Sequence, residues 1–354
     1  MEITSHERVM AALNYKIADR LPFSYGFGIN EPVRQKLIEY LNFTSSAQLN
    51  TYLSAADDIR RVGPHCKITL PEGTDYWGVK RIPVSYGLGF YHEIVHYPLA
   101  DVTDISELDD YNWADPDWFD YSVLPDIIKN INSTGNRYAI VSGTANIFET
   151  AWYMRGLENM LVDLITDPEL AFEIMRRVTD FYCEYNKRIL EAADGMVDII
   201  FAADDIGTQT GLMMAIDTWR DLIKPHHTKI NSMVHNHGVK VMYHTDGAVM
   251  DALEELVDMG IDILEALQFD AGDMNASEMK TRVGDKISFH GGISVQSTLP
   301  FGTPDDVISE VNERKRILGA DGGYIIAPSH AVQAGTPPEN VIAMIETAIK
   351  INRF

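Results

Sequence analysis

The sequence predicts an α/β fold, a (β/α)8 TIM barrel with an early β-rich insertion. Three observations point there. From residue 137 onward, short apolar runs alternate with longer amphipathic segments, the pattern of parallel β/α units. No GxGxxG fingerprint or P-loop interrupts that alternation, which leaves a doubly wound open sheet as the runner-up. Successive predicted strands end in ionisable residues, and a barrel carries its functional groups at the carboxyl ends of its strands. No repeat, low-complexity tract or linker divides residues 1–354, so they read as one domain.

In chain order, Thr4 and Glu7 form a capping box ahead of Val9, Met10 and Leu13 at helical spacing. Residues 19–25 read as a turn entering the first strand. Residues 68–100 are rich in glycine, proline and aromatics with alternating patches, which predicts an inserted hairpin. A polar, aromatic loop at 109–121 leads into a helix. Strands are then predicted at 138–142, 198–202, 239–243, 261–264, 286–289 and 323–327. Helices are predicted at 147–165, 168–193, 217–237, 248–258, 275–283, 304–318 and 338–351. That makes seven strands, with an eighth unplaced.

Composition excludes some partners. The chain has 29 basic and 52 acidic side chains, a formal charge of −23. Nucleic acid and anionic membrane surfaces need a basic face, so neither is expected as a partner. A highly anionic substrate is disfavoured unless cations gather locally. Two distant cysteines, Cys66 and Cys183, build neither a disulfide framework nor a cysteine zinc site. The opening MEITSHERVMAALNY is charged and amphipathic, and no run of about 18 apolar residues occurs. A cytoplasmic protein is the expectation.

The predicted strand ends deliver Tyr25, Asp204/Asp205, His244/Asp246, Glu265, His290 and His330. Alone, each carboxylate is more often a helix cap and each histidine more often structural. A barrel, however, brings these ends around one axis. His244, Asp246, Glu265 and His330 make a nitrogen/oxygen set suited to four-coordinate zinc with a position for substrate. The same residues also suit a metal-free acid/base network with histidine as proton carrier. Other groups read as structural. Met213 and Met214 read as core or pocket lining. His226 and His227 are expected on the surface, His235 and His237 at a helix C-terminus, Cys183 packed and Cys66 in a loop.

Several stretches resemble the uroporphyrinogen decarboxylase superfamily. They are ERVMAALNYKIADRLPF (7–23), IFETAWYMRGLENMLVDLITDPELA (147–171), DDIGTQTGL (204–212), HGVKVMYHTDGAVMDALEELVDMGIDILEALQ (237–268) and SHAVQAGTPPENV (329–341). The resemblance covers nearly the whole chain and implies a (β/α)8 barrel. It also implies one of two chemistries: metal-free porphyrinogen decarboxylation, or zinc-dependent methyl transfer involving a corrinoid protein. Decarboxylases carry an arginine-rich segment close to RQAGRY after the first strand. Here that place reads FGINEPVRQKLIEY (27–40), with Arg34 and Lys36 but not the motif. The methyltransferases show His-x-Cys, and a second Cys six residues before Thr-Pro. Here His244 matches the His, Asp246 replaces the first Cys, and His330 stands six residues before Thr336-Pro337. Glu265 falls where an acidic residue is often seen. The spacing thus resembles the methyltransferase branch, with harder ligands in place of both thiolates, better suited to polarising an ether or phenolic oxygen.

The leading expectation is therefore a zinc methyltransferase acting between a small methylated compound, such as a methyl ether, and a corrinoid protein. His244, Asp246, Glu265 and His330 would hold the metal. Asp205 would position substrate or act as acid/base, and His290 and Tyr25 would line the pocket. The aromatic region 75–97, with Trp77 and Tyr86, would form part of the docking rim. A cofactor-free carboxy-lyase using Asp205 and His330 is the alternative, and a non-catalytic ligand-binding homologue the third reading. The oligomeric state is not legible, and a homodimer stays open.

Overall fold

The computed structural model describes residues 3–350. Seven strands form one sheet in chain order: β1 (Ile59–Arg61), β2 (Ala139–Ser142), β3 (Ile199–Ala203), β4 (Lys240–His244), β5 (Ile263–Ala266), β6 (Ser288–Ile293) and β7 (Tyr324–Pro328). Every neighbouring pair is parallel. The predicted first strand lies between the two edges. The Ser24 amide donates to Ile326 and the Ile326 amide to Pro22, both at 2.9 Å, while the Asp58 amide donates to Phe23 at 2.8 Å. The fold is TIM-barrel-like.

Side-chain alternation explains why the sheet curls around a core. Ile199, Phe201 and Ala203 of β3 point inward, meeting Val141, Met242, Ile263 and Ile325. Ile200 and Ala202 point outward into the larger helix-covered core. The helix Ser5–Leu13, capped by Thr4 as predicted, adds Val9 and Leu13 to the inner cluster. Burying each contributes about 1.5–3 kcal/mol. Its other contacts are at strand beginnings: the His6 amide donates to the Arg137 carbonyl at 2.7 Å, and the His6 ring meets Asp198 at 3.0 Å. This helix closes the amino end of the sheet and leaves the carboxyl end as the open mouth. Asp58, just before β1, is buried between Arg8 and Arg20 at 2.7 Å each, so its burial is compensated.

The structure corrects several expectations. The strand β1 was not predicted, nor were the helices Glu31–Tyr40 and Ser46–Ala56 before it; Ile-Arg-Arg offers no apolar run to read. The predicted helix 147–165 is two, Ile147–Arg155 and Leu157–Thr166, broken at Gly156 with φ +90°. The predicted helix 217–237 is also two, because Pro225 has no amide to continue the first. Finally, His226 and His227 are buried, at 4% and 0% exposure.

Within residues 68–100, Lys80–Ser85 and Phe90–His96 pair as an antiparallel hairpin. Tyr86, Leu88 and Phe90 are exposed. Trp77 is not a rim residue: it is buried against Phe181 and Tyr182 of the helix Pro168–Ala193, at 4.9 and 5.6 Å between ring centroids. Among the described residues, no helix is long and apolar enough to cross a membrane.

Candidate active site

The turns after β3 and β4 build the centre of the mouth. After His244, the chain turns through Thr245, Asp246 and Gly247 at φ +85°. A Cβ on Gly247 would lie 2.6 Å from the Gly207 carbonyl carbon, and one on Gly207 would lie 2.6 Å from the Asp246 oxygen. Only two glycines permit that backbone approach. The Asp246 amide donates to Asp205 Oδ1 at 2.8 Å, and the Ile206 amide to Thr245 Oγ1 at 3.2 Å. Asp205 therefore fixes the main chain that carries Asp246.

His244 Nε2 lies 3.7 Å from Asp205 Oδ1 and 3.9 Å from Asp246 Oδ1. His330, two residues past β7, places Nε2 4.0 Å from Asp246 Oδ2. One ligand atom each from His244, Asp246 and His330 lie within 4.8 Å of one another. Donors on one tetrahedral zinc stand roughly 3.3 Å apart, so small side-chain rotations bring these three onto an ion. Burial lowers the pKa of His244, against the opposite pull of Glu265 and Asp205. Burial also lowers that of His330. Neutral imidazoles are the ligand form. Burial, Asp205 and Glu265 push the Asp246 carboxyl up to about 7; a cation there would reverse that.

Glu265 stands beside this set rather than within it. Burial raises its pKa, but His290, Arg61 and His244 outweigh burial and bring it to about 2. Its Oε1 is 3.2 Å from His290 Nδ1 and its Oε2 3.6 Å from Arg61 Nη2. Oε2 has no hydrogen-bond partner, and neither does His244 Nδ1 or the Tyr25 hydroxyl. Oε2 has the Arg61 charge as its compensation, and the converging donors an ion would take are those of His244, Asp246 and His330. The donor set thus fits zinc. His290 acts on Glu265. Tyr25 lines a cavity of about 330 Å3 between the 24–29 turn and β1. Another groove, about 740 Å3, runs beside Asp270, Ser294 and Arg314 and shares no residue with this cluster.

Asp204 and Asp205 have different jobs. Asp204 is fully buried and accepts the Phe148 and Glu149 amides at 2.8 and 2.7 Å, capping the helix Ile147–Arg155 from a neighbouring strand. His227 Nε2 meets it at 2.5 Å, which explains why that histidine is buried. Sequence reasoning missed three further residues. Phe27 packs 4.7 Å from the His244 ring and 4.9 Å from the His330 ring. Arg61 brings a cation to the mouth from the unpredicted β1. Glu149 is buried, accepting from Asn146 Nδ2 at 2.7 Å and the Tyr153 hydroxyl at 2.9 Å. Burial, Asp205 and Asp204 push its carboxyl up to about 8. Its only sequence signal was an acid within an otherwise apolar helix start.

A model of the uroporphyrinogen decarboxylase (URO-D) family matches residues 83–351. The chain belongs to the URO-D family. Among curated relatives of this URO-D protein, a methylated-thiol–coenzyme M methyltransferase of Methanosarcina mazei is 27% identical over 226 residues, 63% of this chain and 57% of that protein. A uroporphyrinogen decarboxylase of Geotalea daltonii is 24% identical over 192 residues, 52% of this chain and 50% of that one. These matches span only about half the length of the relatives. A solved methyltransferase structure from Methanosarcina mazei shares the fold, with a TM-score of 0.70 at 22% identity over 98% of both chains.

Proposed function

We propose that this URO-D family protein is a zinc-dependent methyltransferase moving a methyl group between a small methylated compound, such as a methyl ether, and a corrinoid protein. The observation that carries the reading is the convergence of His244, Asp246 and His330 donor atoms within 4.8 Å at the open mouth. These three would hold zinc, and a rotation of Glu265, which stands beside them, would bring it in as a fourth donor. Zinc bound there supplies a Lewis acid that polarises an ether or phenolic oxygen. Burial keeps both imidazoles neutral. Asp205 spends one oxygen on the Asp246 amide and offers the other to substrate or to a proton. The His290 ring, 3.2 Å from the Glu265 carboxylate, would orient it. Phe27 covers both histidine rings and limits water access.

Elemental analysis of protein purified without added metal or chelator tests this. Near-stoichiometric zinc is expected, reduced by roughly tenfold or more in His244→Ala with the circular dichroism spectrum retained. Unchanged zinc in that variant sinks the assignment.

A metal-free carboxy-lyase is the second reading, favoured by the Asp246 carboxyl near 7, which could pass a proton at neutral pH. Full activity in chelator would select it.

A further inference from the structure

Arg61 ends β1, paired in register with Val141. Its guanidinium carbon lies 4.5 Å from the Phe201 ring centroid and 5.4 Å from that of Phe27. Its nearest carboxylate contact is the long one, 3.6 Å to Glu265 Oε2. An arginine serving only a carboxylate closes to hydrogen-bond distance, as Arg8 and Arg20 do on Asp58 at 2.7 Å. Arg60, next to it, is consumed by the carbonyls of Asp57, Ile59 and Ser54 at 2.7–2.9 Å. Arg61 forms no such bond among the described residues, and its side chain is 36% exposed. Five donors in a planar fork are therefore available for a ligand.

Arg61 is among the residues that line the cavity of about 330 Å3, with Arg34 and Arg60 and one carboxyl, Asp57. In a chain of net charge −23, this is a local reversal of sign. Phe27 lines the same cavity while packing on His244 and His330, so cavity and donor cluster share a wall. The volume is that of a small-molecule site.

We propose that Arg61 anchors a carboxylate of the substrate, so that the methylated compound is a small organic anion. Its acid group lies in the cavity beside β1, its body against Phe27, and its methyl-bearing atom towards His244 and His330. The inference rests on the methyltransferase reading for what happens at that far end.

Calorimetric titration of the zinc-supplemented protein with 3-methoxybenzoate and with the neutral 3-methoxybenzamide tests it, alongside zinc analysis. The acid is expected to bind roughly ten- to a hundredfold tighter than the amide. Arg61→Gln should erase that preference at unchanged zinc content, and Arg61→Lys should retain part of it. No preference for the acid, including no binding of either probe, overturns the proposal. So does a preference that survives Arg61→Gln, or one lost only together with zinc, which would make Arg61 a support for Glu265. Failure of the methyltransferase reading looks different: no zinc is retained, yet the acid preference and its Arg61 dependence persist.

Discussion

Glu149 carries a proton into the neutral range because it is buried beside Asp204 and Asp205. The unfolded chain releases that proton near pH 4.5. Between there and about pH 8, the folded protein binds a proton that the unfolded one does not, so this group's contribution to stability falls as pH rises. Glu149→Gln removes the slope and keeps an acceptor for Asn146. Its stability should gain on the wild type from pH 5 to 8, then run parallel, by up to roughly 4 kcal/mol over those three pH units, read from melts at each pH. A gap constant across that range would show that Glu149 is ionised throughout. Gly247 makes a second prediction. Its positive φ and its 2.6 Å approach to Gly207 leave no room for a methyl group, so Gly247→Ala should cost roughly 2–4 kcal/mol. Zinc content should fall with it, since the same turn carries His244 and Asp246. A stable variant with full zinc would show that the turn can relax elsewhere.

The elements divide into those that seal and those that present. The helix Ser5–Leu13 seals the amino end, with Leu13 in the inner cluster. Leu13→Ala leaves a cavity there and should destabilise by about 2–5 kcal/mol. Denaturant melts should show that loss while zinc per folded molecule stays constant, because the donor residues lie at the opposite ends of the strands. Metal loss in step with stability would show that the two ends are not independent. The hairpin Lys80–Ser85/Phe90–His96 belongs to the presenting side. Its tip comes close to the loop after His330, where Leu88 lies 3.2 Å from the point a Gly335 Cβ would occupy.

Across the whole molecule, charge is lopsided: −23 overall, with arginines gathered at the cavity beside β1. Self-repulsion opposes compactness and is screened by salt. Raising ionic strength from about 0.01 to 0.15 M shortens the screening length from roughly 30 to 8 Å. Differential scanning calorimetry should record a melting temperature several degrees higher. A fall would mean that surface ion pairs such as Arg176–Asp180 outweigh the repulsion.

Much of this arrangement is written in local order. Short, predominantly apolar segments ending in His244, Glu265 or His290 specify both a strand and its exit, because a buried parallel strand is mostly apolar and an ionisable residue marks its end. The spacing of His244, Asp246 and His330 is likewise legible. Short strands with charged side chains are not. The strand Ile59–Arg61 exists because β2 supplies its hydrogen bonds, so Arg61 and its cavity stay invisible along the chain. Nor does local order separate Asp204 from Asp205, or bury His227. One aspartate caps a helix that starts 57 residues earlier and the other grips the Asp246 amide, a difference made by contacts between distant segments. The amino-acid order settles which strand-end histidines and carboxylates reach the mouth; the tertiary structure adds Arg61 and Phe27 to them and decides which groups are already engaged and which remain free for a ligand.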